Sequence, residues 1–250
     1  MSAIREVQIE RVLDGIRVAS RDPVVVEAPL ELRARGGVPV ATIMRTPGHD
    51  RELVRGLLHA ESIVATITAS ADDHVELDVE PAAFAARGLL STAACGVCGR
   101  VAIADLELRA REVVGDGKIA GRVLAGLPAV LRASQAVFER TGGLHAAGLF
   151  TLDGTLLALR EDVGRHNALD KLVGSALAGG LDPATTAIVV SGRLGYELVQ
   201  KCVRFGAPIL AAVSAPSSLA VELGERFGVC VAGFVRGDRY NLYSHAWRVT

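Results

Sequence analysis

Aromatic residues are scarce in this sequence of 250 residues: they make up 4%, whereas hydrophobic residues make up 50%. A buried core must therefore consist mainly of Ala, Val and Leu. Only two of the four cysteines are close together, which excludes the disulfide framework of a small secreted protein. The formal net charge of -1 excludes a molecule that attracts nucleic acid through its overall charge.

Long apolar runs are also missing, because Arg, Asp or Glu interrupts every stretch that could otherwise cross a membrane. The start of the chain, Met1 to Glu6, lacks the charged and then apolar pattern of a signal peptide. We therefore expect a soluble cytoplasmic protein without a membrane span. Any anionic ligand must be held by a local cluster of basic groups.

The sequence predicts two lobes, and the first, residues 1–115, is a smaller β-rich α+β lobe. Apolar and polar residues alternate over residues 1–45, which favours short antiparallel strands. Asp50 is the predicted N-cap of a helix that ends near Glu61. The turn signals of this lobe are the dipeptides Asp14-Gly15, Asp22-Pro23 and Gly36-Gly37.

The second lobe, residues 116–250, is predicted to be an α/β domain that follows a Gly-rich hinge at 115–117. It should begin with a helix from Leu127 to Phe138, and Asp153-Gly154 should turn a β-hairpin. Three short β-branched runs then alternate with two helical patterns, which predicts parallel strands joined by right-handed crossovers. These runs cover 187–190, 209–213 and 229–234.

Ligands of such sheets bind beyond the carboxyl ends of the strands. The segments expected there are Ser191-Gly192-Arg193, Ser214-Ala215-Pro216 and Arg236-Gly237-Asp238-Arg239. Guanidinium groups and helix N-termini favour anions, and the ring of Phe234 beside two arginines can stack on a base or a pterin. The pattern therefore predicts a phosphate ester or nucleotide as ligand.

Cys95 and Cys98 form a Cys-x-x-Cys pair with glycines at 96 and 99, so the backbone can bend sharply around the two sulfurs. Such a pair can be half of a zinc site, a dithiol/disulfide couple, or a sulfur carrier in which one thiolate holds a persulfide. The pair alone does not decide between these uses. Cys202 and Cys230 lie among apolar residues and are predicted to be buried and inert.

One alternative is a zinc-dependent deaminase-like hydrolase. His59-Ala60-Glu61 upstream of Cys95 and Cys98 is similar to the signature of zinc deaminases. Two details argue against it. Ala94 stands where that signature has proline, and His59 falls near the end of its predicted helix, whereas a zinc-binding histidine of this kind opens one.

A polar cluster from Glu161 to Asn167 follows a strand and opens a helix. Asp162 is either a helix cap or part of a site, and His166 is either a structural residue or a group that transfers a proton near neutral pH. His145 lies within an apolar strand, where a structural role is the commoner one.

Taken together, several motifs resemble the formate dehydrogenase accessory protein family known as FdhD, from about Pro47 to the C-terminus. The segment from Asp162 to Lys171 is long enough to be specific to this family. The motifs are Cys95-Gly96-Val97-Cys98-Gly99, Thr141-Gly142-Gly143-Leu144-His145-Ala146-Ala147, Arg160 to Lys171, Ser191-Gly192-Arg193 and Arg236-Gly237-Asp238-Arg239-Tyr240-Asn241.

The resemblance implies a sulfurtransferase that receives persulfide sulfur from a cysteine desulfurase. Such a sulfurtransferase passes the sulfur to its bound substrate, the molybdenum cofactor in its bis-guanine-dinucleotide form, before the cofactor enters the catalytic subunit of formate dehydrogenase. The resemblance further implies a homodimer, a cytidine-deaminase-like three-layer C-terminal domain with a mixed sheet, and no permanently bound metal. A chaperone that only binds and protects the cofactor is the other alternative.

Two sets of residues follow from the resemblance by position. Cys95 would carry the persulfide, with Cys98 as its partner. The guanine-dinucleotide end of the cofactor would be held by Phe234, Val235, Arg236, Gly237, Asp238 and Arg239.

Overall fold

A computed structural model describes residues 2–85 and 111–250. Cys95 and Cys98 lie outside the described residues, so their predicted chemistry stays a prediction. Within the described ranges, no helix combines the length and apolar character that crossing a bilayer requires.

The chain begins with a two-stranded antiparallel ribbon, β1 (Ile4–Leu13) and β2 (Ile16–Val25). The predicted turn at Asp14-Gly15 is confirmed, and both of its residues have positive φ. The predicted turn at Asp22-Pro23 is wrong, because β2 continues through both residues. In a ribbon of two strands each strand is an edge, so a proline without an N–H is tolerated there.

A four-stranded sheet follows, in the order β4-β3-β6-β5. The chain reverses between its first two strands at Arg35–Gly37, as predicted. The outer pairs are antiparallel and the central pair, β3 with β6, is parallel. The strands are β3 (Ala28–Ala34), β4 (Val38–Arg45), β5 (Thr66–Ser70) and β6 (His74–Asp78).

Helix α1 (Asp50–Ala60) covers this sheet with Leu53, Val54 and Leu58, and the short α2 (Ala82–Ala85) adds Phe84 to the same core. The helix was predicted, but Asp50 is not its N-cap. His49 takes that position, in a left-handed conformation, and Asp50 is the first helical residue. The carboxylate of Asp50 instead accepts two hydrogen bonds from the buried Arg45, at 2.7 and 3.0 Å.

The C-terminal part is built on a six-stranded mixed sheet in the order β12-β11-β10-β9-β7-β8. The predicted hairpin is the antiparallel pair β7–β8, and the predicted parallel strands are β9, β10 and β11. β12 pairs antiparallel with β11 at one edge. The strands are β7 (His145–Thr151), β8 (Leu156–Asp162), β9 (Thr186–Val190), β10 (Ile209–Ala212), β11 (Cys230–Arg236) and β12 (Arg239–Leu242).

Helices cover both faces of this sheet, which gives three layers. One face packs against α3, and the other packs against α5, α6 and α7. Alternate residues of the central strands feed the two cores: Ile188 and Val190 face one, and Ala187 and Val189 face the other. The helices of the C-terminal part are α3 (Gly121–Ala133), α4 (Ala136–Thr141), α5 (Arg165–Ala178), α6 (Tyr196–Phe205) and α7 (Ser218–Arg226).

The single helix predicted from Leu127 to Phe138 is wrong: α3 starts at Gly121, and the chain leaves the helical conformation at Gln135 before α4. The Ser134 hydroxyl donates to the carbonyl of Val130 and so closes the last turn of α3. The Glu161 carboxylate, from β8, accepts hydrogen bonds from two N–H groups in the first turn of α4, at 2.8 and 3.1 Å. Because Glu161 is distant in the sequence, the local pattern could not indicate that a second helix begins here.

The residues at the predicted lobe boundary are bound to the C-terminal part. The side chain of Arg248 is buried and donates to the carbonyls of Val113, Gly115, Gly117 and Gly228. Burial lowers the pKa of this guanidinium. The division into lobes at 115/116 stays a prediction.

The two parts of the molecule meet where α1 crosses α5. The backbones approach closely, because a Cβ built on Gly56 would overlap the carbonyl group of Asp170, and one built on Gly174 would overlap that of Glu52. The side chain of Glu52 also holds Arg160 through two hydrogen bonds, at 2.5 and 2.8 Å. Glycine at these two helix positions is therefore a packing requirement.

Replacing Gly56 with alanine should lower the free energy of unfolding by about 3 kcal/mol, because the two helices must move apart. Gly126 in α3 is the matched control, since a Cβ there meets nothing within 4 Å. Gly126→Ala should instead stabilise the protein by about 0.5–1 kcal/mol, through helix propensity. Urea denaturation of both variants tests the pair, and equal effects would contradict the close crossing.

Candidate functional site

The polar segments predicted to share one edge of the sheet do share it. β8, β9, β10 and β11 run in the same direction and β7 runs opposite to them, so the ends of four strands and the start of β7 meet at this edge. The edge carries His145, Asp162, Ser191, Ser214 and Arg236.

A cavity of about 730 Å³ opens at this edge, between the strand ends and α3. That volume lies within the range of sites for small molecules and cofactors. Its walls are mostly apolar and include Pro128, Leu131, Phe138 and Leu144. The strand ends contribute Ser191, Val213 and the segment Val235–Gly237.

The charges that line the cavity are basic. Arg132 and Arg236 both belong to its lining, and among the described residues no carboxylate does. The guanidinium of Arg132 lies over the ring of Phe138, 4.5 Å from the ring centre, and ion-pairs with Glu139 at 2.9 Å. Two guanidinium groups beside an apolar cleft favour a ligand that has both a flat ring and phosphate groups.

His145 and Ser191 supply polar groups where the cavity meets the sheet. The Ser191 hydroxyl oxygen accepts a hydrogen bond from the backbone N–H of Ala146 at 2.9 Å. Burial, together with the charge of Arg165, lowers the pKa of the half-buried His145. Its imidazole is therefore neutral at pH 7 and can donate or accept a hydrogen bond.

The sequence matches the family model described as the FdhD/NarQ family over residues 25–250. The chain belongs to the FdhD/NarQ family. The match starts well before Pro47, where the motifs alone placed it, and includes β3 and β4.

Curated relatives of this FdhD/NarQ family member cover nearly the whole chain. One, from Nocardia farcinica, is 46% identical and aligns over 97% of this chain and 93% of its own; another, from Sulfolobus acidocaldarius, is 42% identical over 98% of both. Both are named sulfur carrier protein FdhD. A crystal structure from Desulfotalea psychrophila, of a protein assigned to the formate dehydrogenase accessory proteins, covers 100% of both chains with a TM-score of 0.80 at 22% identity. That likeness supports the mixed α/β fold.

In this FdhD/NarQ family member the predicted cofactor-binding segment lies only partly at the cavity. Val235, Arg236 and Gly237 line it, whereas Phe234, Asp238 and Arg239 do not. Phe234 lies in a bulge of β11 with its side chain exposed and with a φ of 53°. A left-handed conformation is rare for a bulky residue, and strain of this kind occurs at functional sites.

The polar cluster after β8 turns out to be a structural junction. Asp162 is fully buried; its carboxylate ion-pairs with Lys171 at 2.7 Å and accepts from the backbone N–H of Thr46 and Gly164 and from the Asn167 amide. Lys171 also donates to the Thr46 carbonyl at 2.7 Å. These contacts join the end of β4 to the C-terminal sheet, and none of them involves the cavity.

His166 lies in the first turn of α5, with its Nε2 3.0 Å from a carboxylate oxygen of Glu197. Burial, with the nearby charges of Lys201 and Arg165, lowers the pKa of His166 to about 3. The imidazole is thus neutral across the physiological range. It does not line the cavity.

The other two cysteines and His59 are structural residues. Cys202 and Cys230 are fully buried, as predicted; burial raises the pKa of Cys202 strongly and that of Cys230 to about 12. His59 lies in the last turn of α1 with its Nε2 2.9 Å from the carbonyl oxygen of Arg204. In the ranges 2–85 and 111–250, no three His, Cys, Asp or Glu side chains group as metal ligands.

Sequence reasoning missed the part of the cavity wall that α3 and the break after it supply, including Arg132 and Gln135. Gln135 is 3% exposed, and in the described part of the chain its amide nitrogen has no hydrogen-bond partner. The only signal in the sequence was a glutamine after Ser134, in a stretch predicted to be one continuous helix.

Proposed function

We propose that this protein is a sulfur carrier that serves the maturation of formate dehydrogenase. The names of relatives that share 42–46% of its sequence over nearly the full chain support the proposal most directly. The Cys-x-x-Cys pair supplies thiols suited to the task, and Cys202 and Cys230 are too deeply buried to compete with it.

In the first step, the Cys95 thiolate attacks the terminal sulfur of a persulfide on a cysteine desulfurase. The sulfur–sulfur bond of the donor breaks, the donor cysteine leaves as a thiolate, and Cys95 becomes the persulfide. No net oxidation occurs, because the transferred sulfur keeps its oxidation state.

In the second step, the Cys98 thiolate attacks the Cys95 sulfur of that persulfide. A Cys95–Cys98 disulfide forms and hydrosulfide leaves, so the two cysteines are oxidised as the transferred sulfur is reduced. The hydrosulfide binds the molybdenum of the substrate, the bis-guanine-dinucleotide cofactor. A cellular thiol reductant then restores the pair for the next cycle.

The cavity supports the part of the proposal that concerns binding of the substrate. The guanidinium groups of Arg132 and Arg236 suit the diphosphate groups of a dinucleotide, and the apolar walls suit a flat ring. Phe234, exposed on its strained backbone, is the proposed platform on which a second ring stacks. Asp238, on the exposed turn that follows, and Arg239, the exposed first residue of β12, complete the binding segment.

The proposal also includes the wider setting of the family: a homodimer in the cytoplasm that meets a cysteine desulfurase and the catalytic subunit of formate dehydrogenase. It includes kinship with the cytidine deaminase fold. The mixed sheet between two layers of helices is compatible with that kinship.

Loss of both thiols separates a carrier from a chaperone that only protects the cofactor. In cells that lack this protein, the wild type should restore formate dehydrogenase activity, and the double variant Cys95→Ser/Cys98→Ser should leave it at background. Cys202→Ala is the matched control and should restore activity, because that thiol is fully buried. Full activity with the double variant would favour the chaperone instead.

A further inference from the structure

Gln135 stands out in the cavity wall because it is a buried polar side chain whose amide nitrogen has no partner among the described residues. It occupies the break between α3 and α4, where its backbone N–H and carbonyl are both bonded, to Arg132 and Glu139. Its side-chain amide nitrogen, in contrast, finds no acceptor within residues 2–85 and 111–250, although only 3% of the residue is exposed. Burying an amide without a hydrogen bond costs free energy, so such a group calls for an explanation.

The neighbours of Gln135 in the cavity do not explain why its amide is buried, because most of them are apolar. Leu131 lies one helical turn before it, and Pro128 and Phe138 line the same cleft. Gly142 and Gly143 line the same cavity and contribute no side chain to its wall. Gly142 has a φ of 66° with nothing within 4 Å of a built Cβ, and a Cβ on Gly143 would lie 3.2 Å from Val25. Gln135 thus contributes, to a wall that is mostly apolar, a buried hydrogen-bond donor that no described residue satisfies.

We propose that Gln135 is a specificity residue, whose side-chain amide donates a hydrogen bond to the ring carbonyl of an oxo-purine or oxo-pterin bound in this cavity. The inference rests on the proposed function, because guanine and pterin rings both occur in the substrate and share this carbonyl chemistry. Arg132 and Arg236, on the same cavity, hold the phosphate groups of the ligand. The ligand then supplies the acceptor that the free protein lacks.

The test is the affinity of Gln135→Met, which keeps the size of the side chain and removes the donor, for three probes. GDP reports the guanine ring, pterin-6-carboxylate reports the pterin ring, and pyrophosphate reports the arginines alone. Calorimetry should show affinity for GDP or for the pterin reduced by about 10- to 100-fold, with pyrophosphate binding unchanged. Gln8→Met, the same exchange on strand β1 and outside the cavity lining, is the control and should change each affinity by less than about threefold.

A second readout concerns the protein without ligand. Because Gln135→Met removes a buried donor that has no partner, its melting temperature should equal or exceed that of the wild type. Three results would overturn the inference: unchanged binding of both rings, a parallel loss of pyrophosphate binding, or a wild type that binds neither ring. The proposed function is judged separately, by sulfur on Cys95, which forms before the substrate is needed.

Discussion

Cys95→Ala is expected to abolish the transfer of labelled sulfur from a cysteine desulfurase to the cofactor. The residual rate should fall to that of a reaction without the protein. The attacking thiolate is gone, and Cys98 alone has no second thiol with which to release sulfur. Cys202 and Cys230 cannot replace Cys95. Cys202 and Cys230 are fully buried, and burial raises the pKa of both thiols. Transfer of radiolabelled sulfur from cysteine measures the effect.

Cys98→Ala is the matched variant, and it should fail at a different step. Cys95 should still receive sulfur, but without Cys98 the persulfide should accumulate instead of releasing hydrosulfide. Both variants should bind GDP as the wild type does, because the cavity is lined by Arg132, Arg236 and apolar residues of the described part of the chain. Undiminished transfer by Cys95→Ala would refute the assignment of the carrier.

Asp162→Asn is expected to destabilise the protein by about 3–5 kcal/mol, because it leaves Lys171 charged and buried without its carboxylate. Lys171→Met should cost less. The carboxylate of Asp162 would still accept hydrogen bonds from Thr46, Gly164 and Asn167. The free energy of unfolding from urea denaturation measures both variants.

The double variant Asp162→Asn/Lys171→Met tests whether the loss of stability comes from an unpaired buried charge. It should be more stable than Asp162→Asn alone, since removing both charges avoids an unpaired one. At a temperature where Asp162→Asn is folded, that single variant should carry sulfur like the wild type. If a variant of Asp162 had full stability but could not transfer sulfur, Asp162 would instead have a role in the reaction.

Local pattern was sufficient to predict β7 to β11 of the C-terminal sheet, but not β12. The runs that became β9, β10 and β11 are short and buried, except at Phe234 and Arg236, and the intervening helices are amphipathic, so periodicity and topology rules apply directly. The Asp153-Gly154 hairpin and the burial of Cys202 were predicted for similar local reasons.

The predictions that failed depend on partners far away in the sequence. Helix α4 begins where it does because Glu161, on β8, caps it. The role of Asp162 stayed open because its partner Thr46 lies 116 residues away in the chain. The left-handed backbone of Phe234 and the unpartnered amide of Gln135 are likewise properties of the assembled site, which no local pattern encodes.

Mass spectrometry of the protein after incubation with a cysteine desulfurase and cysteine tests the central claim most directly. The account predicts one added sulfur atom on the peptide that contains Cys95 and Cys98, removable by a thiol reductant and absent from Cys95→Ala. No added sulfur on that peptide, or sulfur found on Cys202 or Cys230 instead, would contradict it.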